Sequence, residues 1–291
     1  TKRATMCMLM IQMYADDTEL YGSSSQQQVD TFISNMQTCA STVKDWTLQN
    51  RLQLNEDKTE ALHVSTRDLD LPTSMRIGQT NISFSKSARN LGVVFDEDLS
   101  MSRQVNALCQ SAYFEIRRIS SIRKYLSTDA TKTLVTSLVL SRLDYSNSLL
   151  SGLPKTLLDK VQKVMHNAAR LIFRASPRDH VTPLLTELHW LNVENRIKYK
   201  VCTLCFRIFT GTAPTYLSSV VTVYTPGRPL RSSDDKRCFD NSHIPKRVTH
   251  GERAFSFYGP KIWNSLPFHI RHAETITSFK SRLKTFLFSQ Q

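Results

Sequence analysis

The chain has 291 residues, 40% of them hydrophobic and 22% charged, which supplies apolar side chains for two packed cores and argues against a disordered chain. Its 38 Lys and Arg against 25 Asp and Glu leave a formal charge of +13. No apolar run approaches the roughly 20 residues of a membrane-spanning helix, so a polyanion such as nucleic acid is the expected partner and a membrane is not. The charge is uneven: residues 1–99 carry 9 basic against 13 acidic side chains, residues 100–174 carry 12 against 4, and residues 175–291 carry 17 against 8. Six scattered cysteines do not form a disulfide framework, and with no basic-then-apolar signal at the start the expected location is intracellular. A chain that opens on Thr1 and runs at once into apolar residues also suggests that a portion lies upstream.

In chain order, the apolar run Met6 to Met13, the break at Tyr14-Ala15-Asp16-Asp17 and the strand-like Thr18 to Tyr21 predict a β-hairpin with two aspartates at its tip. Ser23 to Ser25 should open a helix. Its apolar residues Val29, Phe32, Ile33, Met36, Ala40, Val43 and Trp46 recur every three or four positions, so one face should pack on the sheet. Short strands are expected over Thr59–Val64, Met75–Ile77, Ile82–Phe84 and Leu91–Phe95, with Gly78 turning the second into the third. Helical periodicity then takes over, in Gln104–Leu126, Ala130–Leu143, Lys155–Arg174 and Val193–Thr210. Pro and Gly around Pro226-Gly227-Arg228-Pro229 and a polar, basic continuation to Gly251 read as a long surface loop, followed by helices over Glu252–Asn264 and Thr277–Phe288.

Two neighbouring carboxylates raise each other's pKa unless a cation lies between them, and a divalent metal does that. In nucleotidyl transfer two Mg²⁺ ions about 4 Å apart, held by hard oxygen ligands, activate the attacking hydroxyl and stabilise the leaving pyrophosphate. Asp16 and Asp17 could supply such oxygens, although an Asp-Asp pair is also an ordinary polar turn.

The apolar strand followed by Tyr14-Ala15-Asp16-Asp17 resembles the active-site hairpin of reverse transcriptases. Leu52-Gln53-Leu54-Asn55-Glu56-Asp57-Lys58-Thr59-Glu60 is similar to the loop and strand that follow it in non-LTR (LINE-type) retrotransposons, and Leu91-Gly92-Val93-Val94-Phe95-Asp96 to their primer grip. His180 to Leu185, Leu188 to Leu191, Arg196 to Lys200 and Gly251 to Ser256 resemble the C-terminal extension of jockey-like and chicken-repeat-like elements. The resemblance implies an α+β fold: a partial palm of antiparallel β with a packing helix at 1–99, a helical thumb at 100–175, and a basic, mainly helical extension at 176–291 with a loop near 222–251.

It implies roles as well. Asp16 would be a metal ligand, Asp17 the neighbouring acidic position, Tyr14 a contact to the primer terminus, and Lys58 a proton donor to pyrophosphate. Lys58 also reads as a solvated lysine in a polar loop. Gly92 would permit a tight turn beside the primer. Mg²⁺ or Mn²⁺, deoxynucleotides, an RNA template and a DNA primer or target site are the implied partners of the complete enzyme, in the nucleus or a cytoplasmic ribonucleoprotein. In that enzyme a further aspartate upstream completes the metal site and fingers residues hold the nucleotide, so this chain alone is expected to be inactive.

Arg117, Arg118, Arg123, Lys124, Lys132, Lys160, Lys163, Arg170 and Arg174 lie on predicted helices, as expected for a thumb that grips phosphate backbones without reading bases. Tyr113, Tyr125, Trp190, Tyr199 and Trp263 are expected mainly in the core, with base stacking as the other use. Cys202 and Cys205 form C-x-x-C inside an apolar helical run with no second ligand pair, which reads as structural, as do His166, His180 and His189. Two other functions fit the same residues: a non-catalytic nucleic-acid-binding remnant, and a helical module whose basic faces meet an acidic partner.

Overall fold

The computed structural model describes residues 8–65, 72–225, 237–240 and 251–291. It is mixed α+β, largely helical with small sheets, and divides into two compact units, Thr1–Ser100 and Met101–Gln291.

In the first unit β1 (Met8–Tyr14) and β2 (Asp17–Ser23) form an antiparallel hairpin, and the helix α1 (Val29–Gln49) follows a 3₁₀ turn at Gln26–Gln28. The helix begins later than Ser23–Ser25. It ends in a Schellman motif: Arg51 takes φ 62°, its amide donates to the Leu48 carbonyl at 3.1 Å, and the Leu52 amide reaches the Thr47 carbonyl at 2.8 Å. The strands β3 (Ala61–Leu62), β4 (Ser74–Ile77) and β5 (Thr80–Ser85) form a sheet ordered β3-β5-β4, with β3 parallel and β4 antiparallel to β5. A second hairpin joins β6 (Ser87–Asn90) to β7 (Val93–Asp96). Its two-residue turn, Leu91 (φ 45°) and Gly92 (φ 81°), has the positive dihedrals that match the twist of paired strands. Leu91 and Gly92 are therefore turn, where the sequence suggested strand.

The core of this unit is small. Ala40, Met75, Ile77 and Ile82 are buried, with Leu20, Ile33, Met36, Ala61 and Phe84 packed around them. Trp46, expected on the packing face of α1, is exposed, and so are Met10, Ile11 and Met13 of β1. A two-stranded hairpin with apolar residues in water is marginal by itself.

The second unit is built from helices: α2 (Ser102–Ile122), α3 (Thr128–Val135), α4 (Ser141–Asp144), α5 (Lys155–Phe173), α6 (Thr182–Glu187), α7 (Val193–Phe209), α8 (Thr215–Ser218), α9 (Phe255–Asn264), α10 (Phe268–Arg271) and α11 (Ile276–Phe288). A π-helical turn at Thr136–Leu140 fuses α3 to α4. Val161, Val164, Met165, Ala168, Ala169 and Ile172 line the inward stripe of α5. The segments read separately as 100–175 and 176–291 fold together here. Gln162 Oε1 accepts the amide of Val193 at 2.8 Å, and Arg196 forms a two-pronged ion pair with Asp144.

Phe206, Phe209, Trp263 and Phe279 make an aromatic centre, with rings of Phe206 and Phe279 4.5 Å apart and those of Phe209 and Trp263 5.2 Å apart. Gly259 lets α9 lie close to α7, since a Cβ there would meet the Phe255 ring at 3.2 Å and Cys205 Sγ at 3.4 Å. Part of the stretch expected as a surface loop is instead tied to this core. Phe239 is 2% exposed, and its amide and carbonyl are both bonded by the Asn264 side chain. The Trp263 indole donates to the Arg237 carbonyl at 2.8 Å. Residues 226–236 and 241–250 of that stretch, and Met6 at the start of the first strand, lie outside the described residues.

Candidate nucleic-acid interface

At the hairpin tip Tyr14 pairs directly with Asp17, leaving Ala15 and Asp16 as a two-residue turn. Directly opposed residues share a face of the ladder, so Tyr14 and Asp17 lie side by side while Asp16 projects from the turn. Ala15 sits at φ 54°, a left-handed conformation unfavourable by about 1 kcal/mol or more for a residue with a Cβ. A two-residue hairpin turn requires such positive dihedrals, as the Leu91-Gly92 turn also shows. Tyr14 is 67% exposed, and both aspartates are exposed too.

Among the described residues no group of three or more His, Cys, Asp or Glu converges as a metal site. Two carboxylates still suit Mg²⁺, which is commonly held by one or two carboxylates while water and substrate phosphates complete its shell. Lys58 is exposed in a 3₁₀ turn at Glu56–Lys58 and forms no ion pair with Asp16 or Asp17. Gly92 occupies the β6–β7 turn.

The second unit sorts its cations by face. Lys160 Nζ donates to Asn106 Oδ1 and Asn167 Nδ2 to Tyr113 Oη, each at 3.0 Å and each spanning 54 residues. A constant offset means that α2 and α5 run side by side in the same direction. Along this seam α5 presents Lys160, Lys163, Asn167 and Arg170 at three- and four-residue spacing, with Arg174 following as its left-handed cap residue, and α2 presents Asn106, Tyr113, Arg117 and Ser120. Lys124 follows at the end of α2, its Nζ 4.7 Å from the centroid of the Tyr125 ring, which is 75% exposed. Asp159 is the one acidic residue of α5.

Other cations serve the fold. Glu115 is 4% exposed and binds Arg142 at 2.9 Å and Arg118 at 3.2 Å on the far side of α2 from the seam. Arg118 therefore faces Arg142, away from the other candidates. Arg123 leaves the set altogether: it is 7% exposed and donates from Nε to the Leu171 carbonyl (2.9 Å), from Nη1 to Leu126 (2.7 Å) and from Nη2 to Ile172 (2.7 Å). A guanidinium committed to two carbonyls in the last turn of α5 and to the Leu126 carbonyl caps that helix end from inside the fold. Two of the four carboxylates in residues 100–174, Glu115 and Asp144, are thus consumed in ion pairs, and the seam stays positive.

The remaining candidates are structural. Trp263 and Trp190 are buried, Tyr113 and Tyr199 half-buried. Burial pushes the Cys202 thiol up to about 12 and raises Cys205 well above its ordinary range, the reverse of a reactive thiolate. Sequence reasoning did not single out Arg142, Glu115 or Asp144, and named Arg196 only within a motif, though their pairing decides which cations remain available. Among the described residues no helix is long and apolar enough to cross a membrane. Compared with known protein families, curated proteins and solved structures, the chain matches none.

Proposed function

We propose that this chain is part of an RNA-directed DNA polymerase of the non-LTR retrotransposon type, in which the helical unit grips a template–primer duplex along the α2/α5 seam. The observation that carries the reading is the sorting of charge. Arg117, Lys160, Lys163, Arg170 and Arg174 line one seam, while Glu115 and Asp144 are held in ion pairs elsewhere. Cations on two parallel helices contact phosphates by position and charge, without base readout. The hairpin agrees with the catalytic half of the reading through Asp16, Asp17 and the adjacent Tyr14 on a strained turn. Asp16 and Asp17 would hold a divalent ion, Mg²⁺ or Mn²⁺, which supplies charge neutralisation at the reacting phosphates when bound.

A non-catalytic nucleic-acid clamp is the second reading. It is favoured by the hairpin's donor set of two carboxylates, Asp16 and Asp17. Binding of the chain to a labelled RNA–DNA hybrid over a salt series, beside a polyanionic polypeptide, tests what the two readings share. Both require tight hybrid binding that weakens steeply with salt. Equal affinity for the acidic polypeptide would point to a helical interaction module. Primer extension with Mg²⁺ and deoxynucleotides, compared with Asp16→Asn, then separates enzyme from clamp.

A further inference from the structure

Where the C-terminal ends of α2 and α5 meet, a shallow groove of about 340 Å³ is lined by Ser120, Asn167, Arg123, Arg170 and Arg174, with Ile116, Leu171 and Pro177 as apolar wall. Its three guanidinium groups are fixed by neutral oxygens. Arg123 is used up on main-chain carbonyls. Arg174 donates to the Arg123 carbonyl at 3.2 Å. Arg170 reaches Asn167 Oδ1 at 3.4 Å and the main-chain oxygen of Asp179 at 3.2 Å, while the Asp179 carboxylate accepts the Ser176 amide at 2.7 Å. Arg170 Nε is buried and has no hydrogen-bond partner among the described residues.

Carbonyl partners hold a guanidinium in place without cancelling its charge. Three such charges beside an apolar wall repel one another, in a medium that screens them less than water does. The field reaches the next turn of α5: burial first, then the Arg170 charge, hold His166 below its ordinary imidazole value. An anion in the groove would relieve the repulsion. A planar guanidinium fork matches the spacing of phosphate oxygens, and Ser120 and Asn167 add neutral hydrogen-bonding groups on the same wall.

We infer that this groove is a binding site for one phosphate group, gripped by Arg170 and Arg174. The inference rests on the proposed nucleic-acid function only for the source of the phosphate, which is either a phosphodiester of a bound strand or a terminal or free phosphate.

The test is calorimetric titration of the full chain with inorganic phosphate at constant ionic strength, and with a short RNA strand with and without a 5′-phosphate. Wild type is compared with Arg170→Gln, Arg174→Gln and, on the far side of α2, Arg118→Gln. Saturable phosphate binding should weaken about tenfold or more in each groove variant, as loss of one charge-assisted hydrogen bond implies, and stay unchanged in Arg118→Gln. In case a groove variant does not fold, arginine ¹⁵Nε NMR of the wild type gives a second readout, in which the Arg170 resonance should move on adding phosphate. Preference for the 5′-phosphorylated strand identifies a terminal phosphate; equal binding of both strands, lost in the groove variants, identifies a phosphodiester. If the wild type shows no saturable phosphate binding and the groove variants bind RNA as it does, the groove site is refuted while the nucleic-acid function stands. Phosphate binding without RNA binding would have the opposite meaning.

Discussion

Arg123→Met separates a structural arginine from a nucleic-acid contact. The substitution keeps the aliphatic stem but removes three donated hydrogen bonds, to Leu126, Leu171 and Ile172, with lengths of 2.7–2.9 Å. Leu171 and Ile172 belong to the last turn of α5, whose carbonyls have no partner within the helix. Hydrogen bonds to charged groups contribute roughly 1.5–3 kcal/mol each, but the freed carbonyls partly recover by bonding water, so we expect a net loss of about 3 kcal/mol. For a unit of this size about 2–4 °C of melting temperature is lost per kcal/mol, giving a fall of about 6–12 °C in the thermal melt followed by circular dichroism. Arg123→Lys should fall between, because an ammonium cannot reach three divergent acceptors. An unchanged melt together with collapsed nucleic-acid binding would refute this assignment and return Arg123 to the binding surface.

Ala15→Gly should stabilise the first hairpin by up to about 1 kcal/mol, because glycine takes φ 54° without strain and only part of that gain is returned to the more flexible unfolded chain. Slower amide exchange across Met10–Leu20 would show it, and faster exchange would contradict it. Gln162 Oε1 is fixed by the Val193 amide, so its NH₂ donates to His166 Nε2 at 2.7 Å, while burial and then the Arg170 charge hold the ring's pKa down. With the folded pKa below the ordinary 6.5, the unfolded chain binds the proton first, so stability is full above 6.5 and falls as pH drops toward the folded value. Urea midpoints should show a smaller acid loss in His166→Gln than in wild type; identical profiles would remove His166 from the account. Cys202 and Cys205 should resist a thiol reagent at neutral pH until the chain unfolds, and prompt labelling of the native protein would contradict their burial.

The helices and the first hairpin were legible because their signals are local. Apolar residues every three or four positions mark α1, α2, α5 and α7, and the break at Tyr14-Ala15-Asp16-Asp17 marks a turn. The strand β6 was not, because Ser-Ala-Arg-Asn has no strand composition and pairs only through the Leu91-Gly92 turn. The π turn at Thr136–Leu140 leaves no mark in the apolar spacing. Nor could the sequence sort the cations. Arg142 finds Glu115 across 27 residues, Arg123 finds Leu171 across 48 and Arg196 finds Asp144 across 52. Counting charge located the basic segment, and only folding shows that Arg123 is spent inside and Arg118 faces away from the seam. The fate of Phe239 has the same origin, since a polar neighbourhood concealed a residue that the Phe209 and Trp263 rings enclose.

The central claim, that the α2/α5 seam is the nucleic-acid surface, is tested most directly by the salt dependence of RNA–DNA hybrid binding in the triple variant Arg117→Gln, Lys160→Gln, Lys163→Gln. Five seam cations acting on phosphates give a log–log slope of about −4.5, or on the order of 500-fold weaker binding between about 50 and 200 mM salt. Removing three should flatten the slope by about 2.7 and weaken binding at low salt, while a double variant of Arg118→Gln, on the far side of α2, with Lys132→Gln, on α3 and on neither seam helix, should leave the slope within about one unit of wild type. An unchanged slope in the folded triple variant, with loss in the double variant, would place the surface elsewhere and contradict the account.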